Sequence, residues 1–165
     1  LSTLFPYTTL FRSILCQRNP LWAEKKLGAS SLSIGDYGCT SSMLAEINNR
    51  FGANATPADV AAHKEWYTSA GLILWPKLDL KFAIFEDMGR VYGFNEARVL
   101  EALNDPNNKA VGLEVNIPKA GKHWLKGEAV GNNNVIYARD PWDGSIVDVV
   151  HKYGKITGSA HFRKR

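Results

Sequence analysis

The chain has 165 residues, of which 45% are hydrophobic, 22% charged and 11% aromatic, the make-up of an ordinary globular domain and a length that suits one folding unit. Twenty Lys and Arg against sixteen Asp and Glu leave a net charge of +4, scattered in ones and twos, with no basic stripe and interleaved aromatics of the kind a nucleic-acid partner would call for. No apolar run reaches the roughly 18 to 20 residues of a helical bilayer crossing, and the two cysteines, Cys16 and Cys39, are too few for a disulfide scaffold and match no zinc or redox spacing.

Residues 3–13, from Thr3-Leu4-Phe5-Pro6 to Leu10-Phe11-Arg12-Ser13, resemble the in-frame translation of a short-read sequencing adapter. Residues 1–13 are therefore expected to lie outside the fold, with 14–165 as a single domain. The alternative is an apolar strand carrying Phe5, Tyr7 and Phe11. On the adapter reading the native amino terminus is missing, and localisation is left open.

In chain order, a helix is expected over 40–51, because Met43, Leu44, Ile47 and Phe51 share one stripe that Gly52 closes. Cys39 lies at its amino-terminal end. A second helix is expected from Thr56 as cap and Pro57 in the first helical position, running through Val60, Lys64 and Tyr67 to Gly71. Over 72–94 the pattern is ambiguous: residues 72–75 suit a short strand, and the stretch after Pro76 is compatible with helix. A third helix is expected over 95–104, with Val99, Leu100 and Leu103 on one side and a stop at Asp105-Pro106.

The period then changes to two. Val111, Leu113, Val115 and Ile117 alternate with Gly112, Glu114 and Asn116, which predicts a strand with one buried face. Further strands are expected over 123–130, 135–139 and 146–150, joined by short turns that favour antiparallel pairing. Helices first and strands last predict an α+β domain, a helical lobe packed on a mostly antiparallel sheet.

Cys39 follows Gly38 and opens an amphipathic helix, where free N–H groups and the macrodipole favour the negative charge of a thiolate nucleophile. Gly38 leaves room for a substrate backbone. The alternative is that Cys39 is a small buried residue, the usual fate of a free cysteine. A thiolate needs a general base and an orienting partner. His63, His151 and His161 read as surface or structural histidines. His123 opens a predicted strand, and the next strand ends at Asp140 before a Pro141-Trp142-Asp143-Gly144 turn, so that pairing would set the two side by side. Asp140 also reads as an ordinary turn-initiating residue before proline. Gln17 is the candidate side-chain donor to an oxyanion. Trp22 reads as core, while Trp142 is a candidate for lining a cleft. Asp36 and Asp143 belong to no metal-ligand pattern, so no metal or other cofactor is assigned.

The pieces Gln17-Arg18-Asn19-Pro20-Leu21-Trp22, Lys26-Leu27-Gly28, Ile34-Gly35-Asp36-Tyr37-Gly38-Cys39, Gly121-Lys122-His123-Trp124 and Asp140-Pro141-Trp142-Asp143-Gly144 occur in an order that resembles the papain-like cysteine peptidases related to the bacteriocin leader (double-glycine) peptidases. The resemblance spans nearly everything after residue 14. It implies a papain-like fold with a cleft between a helical and a β lobe, and a Cys39, His123 and Asp140 triad that hydrolyses peptide bonds through a thioester. Gln17 stands twenty-two residues before Cys39; Ser33 occupies the shorter spacing usual in papain-type enzymes. The implied substrate is a leader peptide or a bacterial or phage cell-wall peptide, taken by a monomer. The rival expectations are a peptide- or cell-wall-binding module that keeps the cleft without catalysis, and a Cys16–Cys39 disulfide that would silence the thiol.

Overall fold

The computed structural model describes residues 15–165, so expectations for residues 1–14 lie outside the described residues. A short helical turn, α1 (Ile34–Tyr37), leads directly into α2 (Cys39–Arg50). Gly38 joins them because nothing larger fits: a Cβ there would stand 2.5 Å from the Ile34 carbonyl oxygen. Ser33 caps α1, its Oγ accepting from the Asp36 N–H, and so is committed to capping. Met43, Leu44, Ala45 and Ile47 of α2 are fully buried.

The helix expected to run from Thr56 to Gly71 is cut short. Thr56 and Asp59 form a reciprocal capping box and Pro57 opens α3 (Pro57–Ala61), as the residues require, but the helix stops after five residues. A single 3₁₀ turn, Lys64–Trp66, follows. His63 stacks on Trp66 at 3.8 Å, Trp66 and Tyr67 turn into the core, and the Tyr67 hydroxyl meets Ser41 Oγ at 2.8 Å. Burying two aromatic side chains is worth about 2–3 kcal/mol each, more than the small gain of extending an exposed helix. The strand expected over 72–75 reduces to one bridge between Tyr67 and Ile73, and Trp75–Lys77 forms a 3₁₀ turn.

Helix after Pro76 is also overturned, since β1 (Ala83–Tyr92) occupies most of that stretch. α4 (Glu96–Asn104) follows, capped by the Asn95 side chain, and then β2 (Lys109–Ile117), β3 (Gly121–Val130), β4 (Ile136–Arg139) and β5 (Ile146–Asp148). Residues 149 and 150, expected to continue the last strand, instead begin α5 (Val149–Tyr153), because the Asp148 side chain accepts from the His151 N–H and caps a helix. Gly154, at φ 86°, ends it. A strand with no sequence expectation, β6 (Ile156–Lys164), completes an antiparallel six-stranded sheet ordered β1-β6-β2-β3-β4-β5.

β2 is buried on both faces, where one was expected. One face packs Ala110, Trp124, Ala160 and Phe162 against Met43 and the helical residues. The other packs Val111, Leu113, Val115 and Leu125 against Val99 and Leu103 of α4 and Val149 of α5. The protein is therefore α+β, with helices on both sides of the sheet. Among the described residues no helix is long and apolar enough to cross a membrane.

Candidate active site

The amino-terminal end of α2 and the adjoining ends of β3 and β4 converge on one spot. Cys39 is the first residue of α2 and half-buried, and both Cys39 and Cys16 are free thiols, so the disulfide alternative is not realised. His123 lies two residues into β3, opposite Val115 of β2, and is only 6% exposed. Asp140 follows β4 directly and is fully buried. The His123 Nε2 and Asp140 Oδ1 are 2.8 Å apart. An ionised carboxylate only accepts, so Nε2 carries the proton and Nδ1 is the nitrogen left for Cys39, whose side chain is near enough to act on the ring.

Burial alone would pull the His123 pKa down. The hydrogen bond to Asp140, the Cys39 side chain and the Asp140 charge outweigh it and push the ring up to about 9. Burial would likewise raise Asp140, but four donors hold its carboxyl well below the usual carboxylate range. His123 and the Trp142 backbone N–H, the latter at 3.0 Å, serve Oδ1; Lys152 Nζ, at 2.8 Å, and the Tyr153 hydroxyl serve Oδ2. Burial and then the bond to Asp140 raise Tyr153 in turn, so its phenol keeps the proton it donates.

Lys152 and Tyr153 were not singled out from the sequence. Only Asp148 as cap and Gly154 as stop mark α5, and a five-residue helix is too short to show periodicity. Tyr67, pushed up to about 12 by burial despite its bond to Ser41, also faces the Cys39 charge.

Gln17 is buried at 2% exposure and pinned from two sides. Its backbone N–H donates to Pro141 O at 2.7 Å, tying it to the turn that carries Asp140, and its Nε2 donates to Gly35 O at 3.0 Å. The Gly35 carbonyl can only accept, which fixes the amide with nitrogen towards α1. One of the two Nε2 hydrogens is used there and the other is left, while Oε1 is buried with no partner. An orphaned buried oxygen costs about 1–3 kcal/mol.

Trp22 is core, its indole N–H donating to Cys16 O at 2.8 Å. Trp142 is 42% exposed with the Arg18 guanidinium 4.5 Å above its ring, at the rim beside Asp140. Gly38 is required by the packing of α1 on α2, whatever it leaves open to a substrate. Of the other histidines, His63 is exposed and stacked on Trp66, His151 lies on α5, and His161 is buried on β6 against Ser159 Oγ. Compared with known proteins, the chain matches no protein-family model and no curated protein.

Proposed function

We propose that the protein is a thiol hydrolase of peptide or amide bonds on a papain-like fold, with Cys39 as nucleophile, His123 as general base and acid, and Asp140 as the group that orients the ring. One observation carries the reading: a half-buried thiol at a helix amino terminus shares an imidazole with a fully buried carboxylate. A histidine that serves only packing has no need of both partners.

The chemistry follows from the proton positions. Nδ1 takes the proton of Cys39, and the thiolate attacks the carbonyl carbon of the scissile bond while Asp140 stabilises the imidazolium. The developing oxyanion meets N–H donors at the start of α2 and the remaining Nε2 hydrogen of Gln17. The imidazolium protonates the leaving amine, which departs and leaves a thioester. Water then gives a proton to the same ring as it attacks, and the thiol is regenerated with a carboxylic acid product. Trp142 and Gly38 border the substrate. The substrate class is a peptide, with leader peptides and cell-wall peptides both within it, and the monomer suffices, since all the groups come from one chain.

Replacing Cys39 with Ala should abolish cleavage of a responsive peptide while leaving the melting temperature near that of the parent. Undiminished cleavage by the Cys39→Ala protein ends the proposal. Iodoacetamide at mildly acidic pH should modify Cys39 ahead of Cys16, and equal, sluggish labelling of the two would count against an activated thiol.

A further inference from the structure

Resting on the peptidase reading, we infer that Lys152 and Tyr153 are positioning residues that set how strongly Asp140 holds the charged His123 ring, and thereby the pH range over which the site is competent. Both come from α5, and both donate to Oδ2, the carboxylate oxygen that His123 does not use. Neither is placed on the reacting atoms, though the Tyr153 ring lies 5.8 Å from the His123 ring, centre to centre.

The physical basis is competition for one carboxylate. Each donor on Oδ2 draws negative charge away from Oδ1 and makes Asp140 a weaker base towards His123. The Lys152 ammonium also opposes a second positive charge nearby. A carboxylate shared by a cation, a phenol and a backbone N–H thus holds the imidazolium less tightly than one that His123 had to itself. The clamp fixes the angle of Asp140 as well, so α5 both aims the base and limits its basicity.

The groups that act on the ring are Cys39 from α2 and Asp140 after β4, with the Tyr153 ring of α5 beside it; Lys152 of α5 reaches it through Asp140 Oδ2, Asp143 adds charge near Tyr153, and β2 presents the uncharged Val115 opposite. Lys152 is the one cation among them, and its side chain is 40% exposed, so it can be changed without opening the core.

The test is an NMR titration of His123 in full-length protein with ring-labelled histidine, His123 being identified by the signal lost in His123→Gln. Lys152→Met should raise the His123 midpoint by roughly half a unit, below the one to three units of a direct ionic neighbour because the effect passes through Asp140. Tyr153→Phe should raise it by less, and Lys152→Arg should restore the parental midpoint. In turnover, the alkaline limb of kcat/KM should move up by the same amount in Lys152→Met. A midpoint that stays fixed or falls, with kcat alone reduced, would mean that α5 only braces Asp140, and would overturn the inference. The titration is read without substrate, so its failure leaves the hydrolase reading standing, and a protein that cleaves nothing still reports its midpoint.

Discussion

Among the carboxylates buried at the sheet, Asp140 and Glu114 form a contrast that separates chemistry from architecture. Asp140 is fully buried and Glu114 is 2% exposed. Each has cations in reach: Lys152 and His123 for Asp140, Arg90 at 2.5 Å and Lys122 at 3.3 Å for Glu114. Thr157 Oγ1 adds a bond to Glu114 Oε1 at 3.0 Å. What differs is whether the partner can change its charge. A guanidinium keeps its charge at any working pH. Arg90 is moreover sandwiched between the rings of Tyr92 and Trp124, so the Glu114 pair serves as a rivet between β1, β2 and β6. An imidazole can give its proton away, and His123 stands against a thiol that can supply one. Similar burial and ionic chemistry thus yield a fixed joint in one place and, on the proposed reading, a proton-handling site in the other.

The sharpest way to break this contrast is to neutralise each carboxylate in turn. In Asp140→Asn the amide nitrogen meets a donor whichever way it turns, because donors occupy both oxygens. The ring then faces either an amide donor or a neutral acceptor that no longer balances its positive charge, and kcat/KM should fall by roughly 10²–10⁴, measured at a temperature where circular dichroism shows the variant folded. Glu114→Gln should do the reverse: a stability loss of about 3 kcal/mol in urea unfolding, as expected when a buried pair loses one partner, with kcat/KM close to the parent. If Glu114→Gln lost activity to the same degree as Asp140→Asn, the two sites would not be functionally distinct.

A smaller effect follows from pH. The folded His123 sits at about 9, above its ordinary value of 6.5. A raised base contributes stability that is fully present below pH 6.5 and lost as the pH rises towards and through 9. Thermal unfolding of the parent should therefore weaken across that window. Glu114→Gln should keep the same slope from a lower starting point, and His123→Gln should flatten it. A parent whose melting temperature is level from pH 6.5 to 9 would contradict the raised His123 ring.

Much of this was legible from local pattern. The stripe of Met43, Leu44 and Ile47 placed Cys39 at a helix start, Thr56 announced its cap, and the alternation from Val111 to Ile117 located β2. The pairing of β3 with β4 then followed from the short turn between them, and with it the nearness of His123 to Asp140. Tertiary effects hid the rest. β1 pairs irregularly between Phe85 and Arg90, where Met88 takes φ 51°, and this interrupts the period that would have marked a strand. β6 did carry a signal, Ile156, Gly158, Ala160 and Phe162 alternating with Thr157, Ser159, His161 and Arg163. It reads weakly because Ser159 and His161, on the polar side, are buried as well. The return of α5 onto Asp140 rests on Lys152 and Tyr153 reaching back over 12 and 13 residues of chain, and no spacing rule anticipates it.

The smallest expected effect sharpens the contrast most finely. Lys122 and Lys152 are both partly exposed lysines beside a buried carboxylate, at 58% and 40% side-chain exposure. Lys122 is also the chain neighbour of His123. Successive side chains on a strand point to opposite faces, however, and Lys122 reaches the Glu114 side of the sheet, away from the imidazole. Arg90 and Thr157 already satisfy Glu114, and an exposed lysine 3.3 Å away adds little against solvent screening. Lys122→Met should therefore change stability by less than about 1 kcal/mol and leave the alkaline limb of kcat/KM in place, while Lys152→Met moves it. An equal shift in both variants would mean that the His123 ring responds to the general positive field of this end of the sheet, and the specific role of the α5 clamp would be lost.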